Sequence, residues 1–163
     1  MVNKIQFFSI CLFLISAHCI SQNTFIPDDN FEQALIDLGY DSGTLDDFVP
    51  TTNINTVTDL DIASKSISDL TGIQDFIALS IFDCSDNNIL NLDVSSNLNI
   101  TELYCKNNLL SSLNVSSLNA LKILWFDFNQ VSDINISNNT NLISLTCGNN
   151  LLTDLDISKN LNL

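Results

Sequence analysis

The chain has 163 residues, 45% of them hydrophobic, with 19 Asp and Glu against 5 Lys and a net charge of −14. It has no Arg and a single His, His18. So acidic a chain lacks the basic footprint that a phosphate backbone requires, and nucleic acid is not an expected partner. Chemistry that depends on His or Arg has almost nothing to work with.

The N-terminus reads as a targeting segment. Lys4 precedes an apolar stretch from Ile5 to Ile20, and Ser21 follows. A basic start, a short apolar region and a small-residue exit make a secretory signal peptide over 1–21, so the protein is expected outside the cell or on its outer surface. A membrane anchor needs about 20 apolar residues, and this run is shorter and holds Ser9, Ser16 and His18. Lipidation at Cys19 is a second alternative, but His18 stands where a small residue is wanted. Cleavage after Ser21 removes Lys4, Cys11, His18 and Cys19, leaving no His, four Lys and three Cys. No membrane span is expected once the signal is gone.

Residues 22–56 have the composition of a cap. Asp29 and Glu32 have capping-box spacing, Phe31, Leu35 and Leu38 share one helical face, and Gly39 is a natural stop. These signals predict one short helix at about 30–38, lying over the first coil of whatever follows. The segment carries Asp28, Asp29, Glu32, Asp37, Asp41, Asp46 and Asp47 and no base. Asp41, Asp46 and Asp47, around Gly43, are weak candidates for a calcium loop. They lack the regular D-x-D-x-D-G spacing and a distal Glu, and a polar connector is the plainer reading. No other metal or cofactor is expected.

From residue 57 a repeat organises the chain. Cys84, Cys105, Phe126 and Cys147 fall 21 residues apart, as do Asn87, Asn108, Asn129 and Asn150, and as do Phe82, Leu103, Leu124 and Leu145. The unit is L-x-x-L-x-C-x-x-N-x-L-x-x-L-x-V-S, the leucine-rich-repeat pattern with Cys in the third apolar slot. Full units cover 79–99, 100–120, 121–141 and 142–162, and a 22-residue version covers 57–78. The apolar-x-apolar triplet occurs twice per unit, which predicts a β-rich solenoid of about five coils with short parallel strands on both faces. One coil gains less from apolar burial than its ordering costs, so coils must stack. The Asn column reads as a structural ladder up the turns. The Cys column, Cys84, Cys105 and Cys147, reads as buried reduced thiols acting as small hydrophobes.

The phrase Phe25-Ile26-Pro27-Asp28-Asp29-Asn30-Phe31-Glu32-Gln33-Ala34-Leu35, with Leu70-Thr71-Gly72-Ile73 and the 21-residue units, resembles secreted leucine-rich-repeat proteins of the Bacteroidetes. Some relatives of that kind carry a fuller calcium loop between the cap helix and the first repeat, and relatives often end in a sorting domain. This chain stops at Leu163, one residue into a sixth unit. A truncated or partial product, or a solenoid that once continued, is the expectation, with an open C-terminal coil prone to self-association.

No Ser/His/Asp set, Cys–His pair or glycine-rich phosphate loop is present, so an enzyme is not expected. The expected function is that of a binding module for protein or carbohydrate at a surface. The outward row Asp83, Tyr104, Trp125, with Glu102 and Ile123 on one side and Lys106 and Asp127 on the other, forms the candidate site. The competing reading is a structural spacer within a larger surface protein, with the aromatic pair merely bracing the sheet.

Overall fold

The computed structural model describes residues 22–163. The expected signal segment 1–21, with Lys4, Cys11, His18 and Cys19, lies outside the described residues. The segment ahead of the solenoid, expected to be its cap, carries β1 (Asn23–Phe25), α1 (Asp29–Asp37), β2 (Phe48–Pro50) and α2 (Thr51–Ile54). The solenoid carries β3 (Asp59–Asp61), β4 (Ile81–Asp83), β5 (Glu102–Tyr104), β6 (Ile123–Trp125) and β7 (Ser144–Thr146), joined in that order into one parallel sheet.

Strand alternation sets the core. The central residue of each strand points inward, so Leu60, Phe82, Leu103 and Leu124 are fully buried, in register with one another. Two residues on, Ile62, Cys84, Cys105 and Phe126 are buried beside them. Ile89, Leu110 and Val131, then Val94, Val115 and Ile136, close the core from the opposite side.

Only one face carries a ladder, contrary to the expectation of strands on both. The reason lies in the second half of each coil. The side chains of Asp93, Asn114, Asn135 and Asp156 accept from the N–H of Ser95, Ser116, Ser137 and Ser158 at 2.8–3.1 Å. Three residues after the triplet the chain turns again, with Asn97 N–H donating to the Val94 carbonyl and Ile100 N–H to Asn97. These local bonds occupy the groups that a second sheet would need.

The corner after each strand of the full units turns through a left-handed residue: Asp86, Asn107, Phe128 and Asn149, with φ of 58°, 51°, 56° and 53°. Asp and Asn tolerate this geometry. Phe128 does not, and a left-handed backbone costs such a residue about 1–2 kcal/mol. The next residue, Asn, then satisfies the corner. The amide of Asn108 donates to the carbonyls of Cys84, Cys105 and Lys106 and its oxygen accepts from Ile89 N–H. Asn87, Asn129 and Asn150 repeat the pattern. Each Asn thus binds its own coil and the one before it.

A second ladder runs at the opposite corner. Asn97, Asn139 and Asn160 are buried, and each amide donates to two carbonyls of the preceding coil, including Ile73 and Phe76 for Asn97. Leu118 interrupts the column, which hides the 21-residue step from a reading of the sequence.

The cap helix begins one residue earlier than the sequence signals suggest, and its cap is Asp28 rather than Asp29. One oxygen of Asp28 accepts from Asn30 and Phe31 N–H, ending the orphaned donors of the first turn. The other accepts from Ser68 N–H, Ser68 Oγ and Asp69 N–H, tying the helix to the first coil. Glu32 is therefore free of any capping box. Fully buried, it receives Asp46 and Asp47 N–H at 2.9 and 3.0 Å and pins the loop that leads into β2. The β1–β2 antiparallel pair and α2 are additions to the single helix expected here. Phe31 stacks on Phe76 with ring centroids 6.3 Å apart, closing the core. Gly72, at φ 104°, lets β1 approach: a Cβ there would meet Ile26 Cδ1 at 2.2 Å and the Phe25 carbonyl at 2.8 Å.

Burial alone would push the Asp28 carboxyl up, but the bonds from Ser68, Asp69 and Phe31 together hold it below its ordinary value of 3.8. A pKa lowered by folding gives stability that is present above the unfolded value and lost as pH falls through the folded one. Asp28→Ala should lower unfolding stability by about 2–4 kcal/mol at neutral pH. Urea melts of the two proteins should converge as the medium is made strongly acidic.

Candidate binding face

The outward residues of the sheet form two straight rows, because register is kept from coil to coil. One row is Asp61, Asp83, Tyr104, Trp125 and Thr146, and the other is Asp59, Ile81, Glu102, Ile123 and Ser144. The structure thus brings five of the seven candidate residues, Asp83, Glu102, Tyr104, Ile123 and Trp125, onto neighbouring strand positions. Lys106 and Asp127 lie just past the ends of their strands.

Tyr104 and Trp125 meet edge to face, with ring centroids 5.0 Å apart and planes at 84°. That arrangement matches the positive edge of one ring to the negative face of the other. Their polar handles are tied down within the sheet. The Tyr104 hydroxyl donates to Glu102 Oε2 at 2.6 Å, and the Trp125 indole N–H donates to Ser144 Oγ at 3.0 Å. Burial, the bond to Glu102 and the nearby charges of Glu102 and Asp83 push the Tyr104 phenol up to about 12. The pair is therefore fixed and neutral, both residues partly buried beside Ile81 and Ile123.

The acidic candidates are largely committed. Glu102 holds Tyr104. Asp127 accepts from Gly148 N–H at 2.8 Å and from the Thr146 hydroxyl. Asp83 accepts from Ser85 N–H at 2.9 Å. Lys106 makes no ion pair, the single one among the described residues being Lys65–Asp37. Lys122 precedes β6, so it and Lys106 flank opposite edges of the sheet. Asp59, Asp61 and Asp83 lie on the first two strands.

The calcium candidates do not assemble. Asp46 Oδ1 accepts from Phe48 N–H, and among the described residues no three His, Cys, Asp or Glu side chains gather around one point. The Cys column lies inside the coils, with Cys84 and Cys105 buried, Cys147 partly so and all three free. Burial raises all three thiols, those of Cys84 and Cys105 steeply. Thiolate chemistry is suppressed as a result. No helix among the described residues is long and apolar enough to cross a membrane.

Phe128, 55% exposed at the corner beyond β6, went unnoticed in the sequence. The signal was there in the column Asp86, Asn107, Phe128, Asn149, where three of four residues are those that accept a left-handed backbone.

If Glu102 holds the phenol in its neutral form, Glu102→Gln should bring the Tyr104 titration down from about 12 toward 10. Tyrosinate absorbance measured against pH reads this directly, with Tyr104→Phe assigning the transition.

No protein-family profile matches the chain. Internalin J of Listeria monocytogenes is 38% identical over 77 residues, covering 47% of this chain and 8% of that protein. Among solved structures, the functional domain of InlJ from Listeria monocytogenes, which includes a cysteine ladder, superposes with a TM-score of 0.81 at 35% identity. That match covers 88% of this chain and 32% of the other, so the chain spans about a third of that structure. The internalin inlF of Listeria monocytogenes (TM-score 0.66, 21% identity, 85% of this chain and 48% of that one) shares the fold. A leucine-rich-repeat protein of Leptospira interrogans shares it as well (TM-score 0.65, 22% identity, 68% of this chain and 31% of that one). By its single parallel sheet, its 21-residue asparagine corners and these likenesses, the chain is a leucine-rich-repeat solenoid, similar in sequence and structure to an internalin.

Proposed function

We propose that the protein is a non-enzymatic protein-interaction module whose partner docks on the outward face of the five-stranded sheet. The observation that carries this reading is the Tyr104–Trp125 pair. Its two rings are locked by Glu102 and Ser144, flanked by Ile81 and Ile123, and no element among the described residues is assigned over this face. Rigid aromatics on a fixed platform lose little entropy on binding and are the residues that dominate interface energetics. The charges around the pair, Asp83, Glu102 and Asp127 against Lys106 and Lys122, would set orientation and speed encounter. The likeness to internalins supports protein recognition over catalysis.

The proposal includes export by the 1–21 segment and display outside the cell, in keeping with the resemblance to secreted Bacteroidetes repeat proteins. The cap at 22–56 then serves to close the first coil, and 57–163 carries recognition. Whether the module acts alone or as part of a longer surface protein does not alter the site.

A peptide display library panned on the wild-type protein, run beside a glycan array, tests the assignment. Selected peptides should bind Tyr104→Ala/Trp125→Ala at least about tenfold more weakly, with the melting temperature near that of wild type. Unchanged peptide affinity in the folded double variant, or binding confined to glycans, would contradict a protein-recognition face centred on this pair.

A further inference from the structure

We infer that Phe128 is a second anchor of the interface, extending it from the sheet onto the adjoining corner, and that the partner surface there is basic with an apolar side chain at its centre. The inference rests on the reading of the sheet as a binding face but draws on a different observation. Phe128 holds φ 56° at a position where the other full coils place Asp86, Asn107 and Asn149. The backbone there needs nothing from the side chain: Phe128 N–H donates to the Gly148 carbonyl and its own carbonyl accepts from Asn108 N–H, both main-chain bonds. The ring is 55% exposed, so burial within the fold repays little of the strain. A strained backbone carrying an exposed aromatic is a cost without a folding benefit, and such costs cluster where partners bind.

The surroundings specify the occupant. Phe128 lies three residues after Trp125 on the same coil, continuous with the sheet face. Exposed Leu109 and Leu151 lie at the same corner on the coils before and after. The intervening Asp127 is immobilised by Gly148 and Thr146, so the corner is rigid. Asp127 precedes Phe128, Asp86 holds the same corner two coils earlier, Lys106 lies one coil before Asp127, and the whole chain carries −14. An apolar anchor on so acidic a chain suits a basic segment that presents one apolar residue.

The test uses Phe128→Asn, which installs the residue that Asn107 and Asn149 already supply, so folding is preserved. The probe is an array of synthetic peptides, each with one Phe, Leu or Trp flanked by Lys or Arg, beside versions flanked by Asp or Glu. Wild type should bind the basic-flanked set and discriminate against the acidic set. Phe128→Asn should lose about tenfold or more in affinity while melting about 2–4 °C higher than wild type. A Phe128→Asn protein that binds as wild type does, while Tyr104→Ala/Trp125→Ala loses binding, overturns this inference and leaves the sheet face standing. The reverse pattern keeps Phe128 and removes the sheet face. A lower melting temperature for Phe128→Asn, or no wild-type preference for basic-flanked peptides, also overturns it.

Discussion

Everything in this fold depends on how the chain leaves each strand. The backbone must reverse direction within two or three residues, and doing so leaves carbonyls and N–H groups inside the coil with no strand to pair with. Buried groups of this kind must find partners. One asparagine per coil supplies them: Asn108 reaches carbonyls of its own coil and the preceding one while accepting a preceding N–H. The bond is therefore a turn element and a stacking element together. Coils that share such a residue must sit in register, and register aligns the outward rows on which Tyr104 and Trp125 meet.

The first coil has no predecessor, and the cap takes its place. Asp28 does for the cap what asparagine does for the coils, satisfying its own helix with one oxygen and residues 68 and 69 with the other. Glu32 holds the returning loop, and the Thr24 hydroxyl bonds Asp75 at 2.6 Å across the junction. These are charge-assisted bonds to backbone or hydroxyl rather than ion pairs; of the seven acids of 22–56, only Asp37 pairs with a base among the described residues, Lys65 of the first coil. The acidic excess of the composition is in part a set of hydrogen-bond acceptors.

The columns of the repeat were legible because stacking demands identity at every 21st position, and Cys84, Asn87 and their successors show it openly. The sheet rows, and the meeting of Tyr104 with Trp125, followed from that register alone. What stayed hidden depended on bonds rather than on apolar spacing. The triplet Leu92-x-Val94 has the alternation of a strand, yet Asp93 captures the Ser95 N–H and no ladder forms. The Asn97 ladder is broken by Leu118, and the second oxygen of Asp28 bonds Ser68 and Asp69, far along the chain. The β1 and β2 strands are three residues each and pair across the cap helix, too short to register as a pattern. Phe128 is informative only once its φ is known.

The likeness to an internalin covers a small part of those proteins, so the chain's own surface has to carry the functional argument, and that surface is only as fixed as the corners behind it. Amide hydrogen exchange on Asn129→Ala probes this dependence. The side chain of Asn129 accepts from Leu110 N–H and donates to the Cys105 and Phe126 carbonyls. If the asparagine corner holds the stack, protection should collapse at Leu110 and fall along β5 and β6, while the cap amides at Asp46 and Asp47 keep theirs. Protection at Leu110 and across β5 and β6 equal to wild type would contradict the account, since the sheet would then be held by its strands and core alone.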